Sequence, residues 1–554
     1  MHPLSQDVLW RLTMVTVVSI AVFFVSRWRR ALKQRREEAK LEDTWGQPGR
    51  GPRRPELTRK LEVAEVAKSN RVDDGTWSDL ELDQVFGKID RTLSFVGAQV
   101  LWQWLRHPLQ TQAAIAERRA FIDGRVAVAG RRAALQVALA RLGDREGWTT
   151  VTALYESFPM MPGPLLLYRV LPFALLGSVG ATIVLRSALW LAVAIVLALG
   201  LPAIHYVTDR TIGPYLHALV GLRRILAAAV SLDAVDPDAI SGRLDKSSPS
   251  LARLHKSLGV ARKSRGGLVG QATGLTMEYG RAFLLSQLRT YKQATNAIQA
   301  HRDHLRDVFR LVGEIDAAIS VAHLRAHDKA FVAATVDDSE GGIHARGLSH
   351  PLLVPDAVGN DLVPVDAGLL ITGSNMGGKS TFLRAVGINV VLAQSIGLAV
   401  AREYRAPPLC VSSSMQVVDD LGGGISMYRA EVDRIGELIA RSERGRQLFL
   451  LDEVFRGTNA NERIAAGVAV LRYLAKQSLV IAATHDREMC EALEGALTMG
   501  HFTEIVEGDD VQFDYTLRPG VLQSTNALAL LERAGYPESI LAEAYGLAKQ
   551  AVAG

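Results

Sequence analysis

Cysteine is nearly absent from this sequence: its 554 residues hold two, Cys410 and Cys490. That excludes a disulfide-built scaffold, and neither cysteine stands at a metal-ligand spacing. One bridge between them is conceivable, but a reduced, cytosolic setting for the polar part of the chain is the simpler reading. Excess charge is also small. The net charge is +5, so global charge does not by itself argue for a nucleic-acid binder. The hydrophobic fraction, 48%, is ordinary as an average but unevenly spread. A chain of this length is expected to hold several domains.

Leu12 to Ser26 lacks any charge, and Arg27, Arg29, Arg30, Lys33, Arg35 and Arg36 follow at once. A signal peptide would carry its basic residues first, so the run predicts an uncleaved membrane anchor. Residues 46–55, GQPGRGPRRP, then read as a flexible basic linker whose charge suits anionic lipid or DNA phosphate, lipid being favoured by the neighbouring anchor. A second apolar block, Val170 to Val207, breaks at Arg186-Ser187 and predicts a transmembrane hairpin. Three spans place the chain in the cell (inner) membrane, with the later half facing the cytoplasm. Membrane lipid is then an expected partner.

Between and after these runs the chain reads as amphipathic helices. Leu305, Phe309, Val312, Ile315 and Ile319 mark one long helix with a single apolar face. Arg253, His255, Lys256, Arg262, Lys263 and Arg265 form a basic cluster without interleaved aromatics. It suits a solvated face, or phosphate contact without base readout.

The chemistry gathers later. An apolar run, Gly368 to Ile371, precedes G-x-x-x-x-G-K-S, with Gly373, Ser374, Asn375, Met376, Gly377, Gly378, Lys379, Ser380 and Thr381 forming the turn into a helix. Strand, glycine-rich loop and helix together are what a phosphate-binding loop requires, because successive backbone N–H groups must curl inward at an anion. Lys379 would neutralise the outer phosphates of ATP, and Ser380 would offer a hydroxyl to Mg²⁺. A second apolar strand, Leu448 to Leu451, delivers Asp452 and Glu453 at its end. Asp452 is placed to hold the metal, and Glu453 to orient and deprotonate the attacking water. A third strand ends at Thr484-His485, where His485 is placed to sense the γ-phosphate. Gly422, Gly423 and Gly424 precede Ser426, which reads as the N-cap of a helix that reaches nucleotide across a dimer.

These residues resemble the ATPase domain of the MutS mismatch-repair family, of the ABC type. The resemblance is carried by TGSNMGGKSTFLR, the Asp419-Asp420 loop before Ser426, the LLDEVFRGT run and the Thr-His-Asp strand end. Ser349-His350-Pro351 looks like the family's approach to the nucleotide, which implies that His350 lies near the adenine. Residues 80–109 resemble its helical core domain, and 513–537 its dimer-forming end.

The sequence departs from the family in several places. Phe455 stands where a small residue is usual, NANER follows where a glycine is usual, and Met427 replaces an expected Thr. The first 55 residues carry the anchor and linker where a mismatch-reading domain would be, without the family's Phe-x-Glu mismatch wedge; Phe502-Thr-Glu504 matches its letters but falls in the ATPase region and reads as strand.

The expected fold class is α + α/β: helical core and lever regions with transmembrane segments, followed by an ABC-type P-loop ATPase domain. The divisions are 1–56 anchor and linker, 57–164 helical core, 165–208 hairpin, 209–335 helical lever, and 336–554 ATPase and dimerisation. The resemblance implies an ATP hydrolase using Mg²⁺, a homodimer, and a clamp on double-stranded DNA. The alternative is a membrane-tethered ATPase acting on a protein or lipid partner.

Overall fold

The computed structural model describes residues 71–143, 147–156, 165–244, 249–257, 286–337, 342–363, 368–373, 377–415, 427–507, 510–522 and 535–553, with 35–43 and a few other positions among the first 70. Contacts divide the chain into two units. One comprises Met1–Val66, Arg91–Leu101 and Ile122–His323, the other Ala67–Asp90, Trp102–Phe121 and Leu324–Gly554.

The described part of the first unit is helical. Helix Arg302–His327 turns Leu305, Phe309, Val312, Ile315 and Ile319 inward, all at 2% exposure or less, as their spacing predicts. Asp316 is wholly buried on the same helix. Helices Leu165–Leu185 and Ala188–Asp233 pack on each other as a hairpin.

The membrane part of the expected fold class is corrected here. Among the described residues, no helix is long and apolar enough to cross a membrane. A crossing needs about 20 consecutive apolar residues. The first hairpin helix carries Tyr168, Arg169, Pro172, Ser178 and Thr182 within its 21 residues. The second runs unbroken through His205, Asp209 and Arg210 for 46 residues. Its later half buries Leu219, Leu222, Ile225 and Leu226 in the helical core. Phe173, Leu176, Ile183, Val184, Val196 and Leu199 on the hairpin stay exposed. The run at Leu12 to Ser26 lies outside the described residues except for Met14 and Val25. The transmembrane hairpin, the lipid partner and the inner-membrane location are withdrawn on this finding, and the anchor expected over Leu12 to Ser26 lies outside the residues it covers.

The second unit is built on a six-stranded sheet. Its strands are β1 (Gly368–Thr372), β2 (Cys410–Ser414), β3 (Gln447–Asp452), β4 (Leu479–Ala483), β5 (Thr498–His501) and β6 (Arg518–Pro519), in the order β6-β5-β1-β4-β3-β2. All neighbours are parallel except β5 and β6. Every residue of β1, β3 and β4 is buried, which is why they read as continuous apolar runs rather than alternating ones. The connecting helices are α1 (Lys379–Ile396), α2 (Met427–Ser442) and α3 (Ala460–Ala475). Ile435 and Leu438 of α2 and Leu471 and Leu474 of α3 share a core with Phe449, Leu451 and Val480 of the sheet.

Residues from the early part of the chain complete this unit. Helix Asp74–Asp79 is capped by Asp73, which accepts the Thr76 N–H at 3.0 Å. Asp79 accepts the Ser413 hydroxyl at 2.6 Å and the Met415 N–H at 3.0 Å. Leu80 packs onto Gly387 of α1. Asp73 also pairs with Arg434 and Arg441 of α2 at 2.8 and 2.6 Å.

Candidate functional site

Register brings the strand ends together. Ala483 of β4 lies opposite Asp452 of β3 and Ile371 of β1, so the residues just beyond each strand emerge along one carboxyl edge. In a parallel sheet that edge is where ligands bind, between strand ends and helix starts. The Glu453 N–H donates to Ala483 O and the Thr484 N–H to Ile371 O, both at 2.9 Å, so the three strand ends form one rigid frame.

Gly373 follows β1 and Gly378 precedes α1, at φ +138° and +99°. A side chain is strained in such backbone, and one at Gly373 would meet Phe502 O at 2.6 Å. Lys379 opens α1 with 2% exposure and donates from Nζ to Gly373 O at 2.6 Å. Burial lowers the affinity of this ammonium for its proton, and Glu453 and Asp452 oppose that pull. The Ser380 hydroxyl donates to the Asp452 carboxylate. Glu453 is held from both sides, with His485 Nδ1 3.3 Å from one oxygen and Arg456 Nε 3.1 Å from the other.

Beside the start of α1 lies a cavity of about 600 Å³, lined among others by His350, Asn360, Thr381, Phe382, Phe502 and Tyr515. His350 is buried and accepts the Leu352 N–H on Nδ1 at 3.3 Å. Burial first, then the charges of Arg384 and Lys88, push its pKa down from 6.5 to about 4, so the ring is neutral near pH 7. Asn360 joins two walls, donating to Tyr515 O at 3.0 Å and accepting the Leu517 N–H at 2.6 Å.

Gly373, Gly377, Gly378, Lys379, Ser380, Asp452, Glu453 and His485 thus converge on one edge, with Thr381 and His350 on the adjoining cavity. Ser374, Asn375, Met376 and Ser426 lie outside the described residues.

Residues 369–551 match the family model of MutS domain V. Over that stretch the chain is similar to the MutS family. Its similarities include the DNA mismatch repair protein MutS of Natronomonas pharaonis, 30% identical over 265 residues, covering 45% of this chain and 30% of the relative. The DNA mismatch repair protein MutS 2 of Halobacterium salinarum is 31% identical over 254 residues, 43% and 28% of the two chains. The DNA mismatch repair protein MutS of Thermotoga petrophila is 28% identical over 268 residues, 46% and 33%. The chain spans about a third of the length of these curated relatives.

Within this MutS domain V the residues fit a magnesium nucleotide. A hydroxyl and a carboxylate meeting at a strand end are the hard oxygen donors that Mg²⁺ prefers. The buried lysine supplies a fixed positive charge, and the cavity falls in the range for small-molecule ligands. Sequence reading gave no role to Arg456 or Glu431. Arg456 had a signal, a cation three positions after Glu453 in the same loop. Glu431 had none, because its contact depends on how α2 packs against that loop.

Proposed function

We propose that this chain binds ATP with Mg²⁺ at the carboxyl edge of the sheet and hydrolyses it, working as a dimeric clamp on DNA in a role related to mismatch repair. The observation that carries this reading is the meeting of Ser380 and Asp452 beside a Glu453 braced by His485 and Arg456. When bound, Mg²⁺ supplies charge neutralisation between the outer phosphates. Lys379 and the backbone at Gly377 and Gly378 would hold the phosphates, Ser380 and Asp452 the metal, and the His350 cavity the base. Glu453 would orient a water and take its proton, while His485, beside one of its oxygens, would steady the carboxylate and sense the outer phosphate. Ser426 would reach nucleotide held by the second copy, and the helical stretches 57–164 and 209–335 would form the moving arms. The names of the relatives support the DNA clause. Contacts there would be to phosphates, so binding should weaken steeply with salt.

The test is magnesium-dependent nucleotide binding and ATP turnover, with and without duplex DNA, for wild type and Lys379→Ala. Turnover lost in Lys379→Ala supports the nucleotide clause, and folded wild-type protein that binds no adenine nucleotide overturns it. Salt-insensitive or absent DNA binding would remove the DNA clause alone. A Glu453→Gln variant that stays monomeric with ATP would remove the dimer clause.

A further inference from the structure

The first turns of α2 and the loop after β3 meet with almost no clearance. Glu431 of α2 is 4% exposed, and its Oε1 accepts the backbone N–H of Phe455. A Cβ at Gly457 would lie 2.8 Å from that of Tyr428, in the first turn of the same helix. The rings of Tyr428 and Phe455 are 6.5 Å apart. Three contacts therefore join one short loop to one end of one helix.

That loop is strained where it matters. Glu453 and Phe455 both hold left-handed backbone, at φ +53° and +62°. Residues with side chains persist there only when their surroundings over-determine them. Phe455 cannot relax outward, because its ring is buried with Ile435, Leu438 and Leu451. Its N–H cannot turn away, because Glu431 holds it. Between the two strained residues and Gly457 sits Arg456, whose guanidinium braces Glu453.

We propose that Glu431 is a positioning residue for ATP hydrolysis. By gripping the Phe455 N–H, it fixes the backbone that aims Glu453, and it ties that aim to the placement of α2. The helix is itself anchored on its other flank, where Arg434 and Arg441 reach Asp73, and Arg434 also reaches Ser413 O at 2.7 Å. A shift of α2 is thus carried to the carboxylate that handles the water. The inference rests on the reading of Glu453 given above.

The experiment measures kcat, KM and nucleotide Kd for wild type, Glu431→Ala, Glu431→Gln and Lys379→Ala, with both Glu431 variants repeated on Phe455→Gly. Glu431→Ala should lower kcat by about 10- to 100-fold while nucleotide Kd stays within about 3-fold, the pattern of a misplaced catalytic group. Glu431→Gln keeps an acceptor oxygen and should recover most of the rate. On Phe455→Gly, Glu431→Ala should cost under about 3-fold, because glycine holds left-handed backbone unaided. If Glu431→Ala does not fold, Glu431→Met keeps the volume without the carboxylate and takes its place. A kcat within about 2-fold of wild type, parallel losses in kcat and affinity, or an equal loss on both backgrounds would overturn the proposal. Wild type without turnover would instead sink the hydrolysis reading, while turnover abolished by Lys379→Ala but indifferent to Glu431 sinks only this one.

Discussion

Ser94 donates twice to one oxygen of Asp316, from its backbone N–H at 2.8 Å and its hydroxyl at 2.5 Å. The other oxygen accepts the Leu93 N–H at 2.9 Å. A carboxylate from a distant helix therefore satisfies donors at the start of helix Phe95–Arg106, where a helix cannot satisfy its own. Asp316→Ala leaves three donors without this acceptor, two of them buried, and should lower the unfolding free energy by about 3 kcal/mol. Asp316→Asn, which keeps one acceptor, should lose less. Urea denaturation of the two variants beside wild type checks the order.

Asn389, wholly buried in α1, is a second such tie. It donates to Ser349 O at 3.0 Å and Ala385 O at 2.8 Å, and accepts the Val400 N–H at 2.6 Å. Asn389→Leu leaves the Val400 donor and the Ser349 acceptor without it, for an expected cost of about 2–3 kcal/mol. Ser349 adjoins His350, so nucleotide affinity should fall as well. Calorimetric melting and a fluorescent-nucleotide titration measure the two effects.

His350 gives the pH dependence a definite sign. Its pKa falls from 6.5 in the unfolded chain to about 4 in the fold. Between those values the unfolded chain holds more protons, so acid favours unfolding. The stabilisation is complete above pH 6.5 and is lost as pH falls toward 4, by at most about 3 kcal/mol. His350→Gln removes the titrating ring, so its unfolding free energy should vary less across this window than that of wild type. Denaturant midpoints at several values between pH 4 and 7 make the comparison.

Glu453→Gln keeps the size of the side chain and removes its basicity. Turnover should drop by about 100-fold or more, the scale of general-base catalysis, while nucleotide affinity is retained. Ser380→Ala should instead raise the magnesium concentration needed for half-maximal turnover. Single-turnover hydrolysis and magnesium titrations separate the two.

The second unit's sheet was readable because a strand buried on both faces must be a continuous apolar run, and three such runs end in Gly373, Asp452 and Thr484-His485. Residues that act through packing were not readable. Glu431 meets Phe455 and Asp316 meets Ser94 only because the fold fixes their helices, and nothing in local spacing marks either pair. The hairpin shows the opposite failure. Apolar content from Val170 to Val207 suggested a span, but hydropathy counts side chains without seeing that the second helix continues, unbroken, into a packed core.

The early segment bearing Asp79 and Leu80 has its partners, Ser413, Met415 and Gly387, far downstream in the chain. During translation it leaves the ribosome on the order of ten seconds or more before the strands it must cover exist. In that interval its apolar side chains face water, the condition under which incompletely folded chains associate with one another. A polypeptide begun at residue 324 would be born without its own covering.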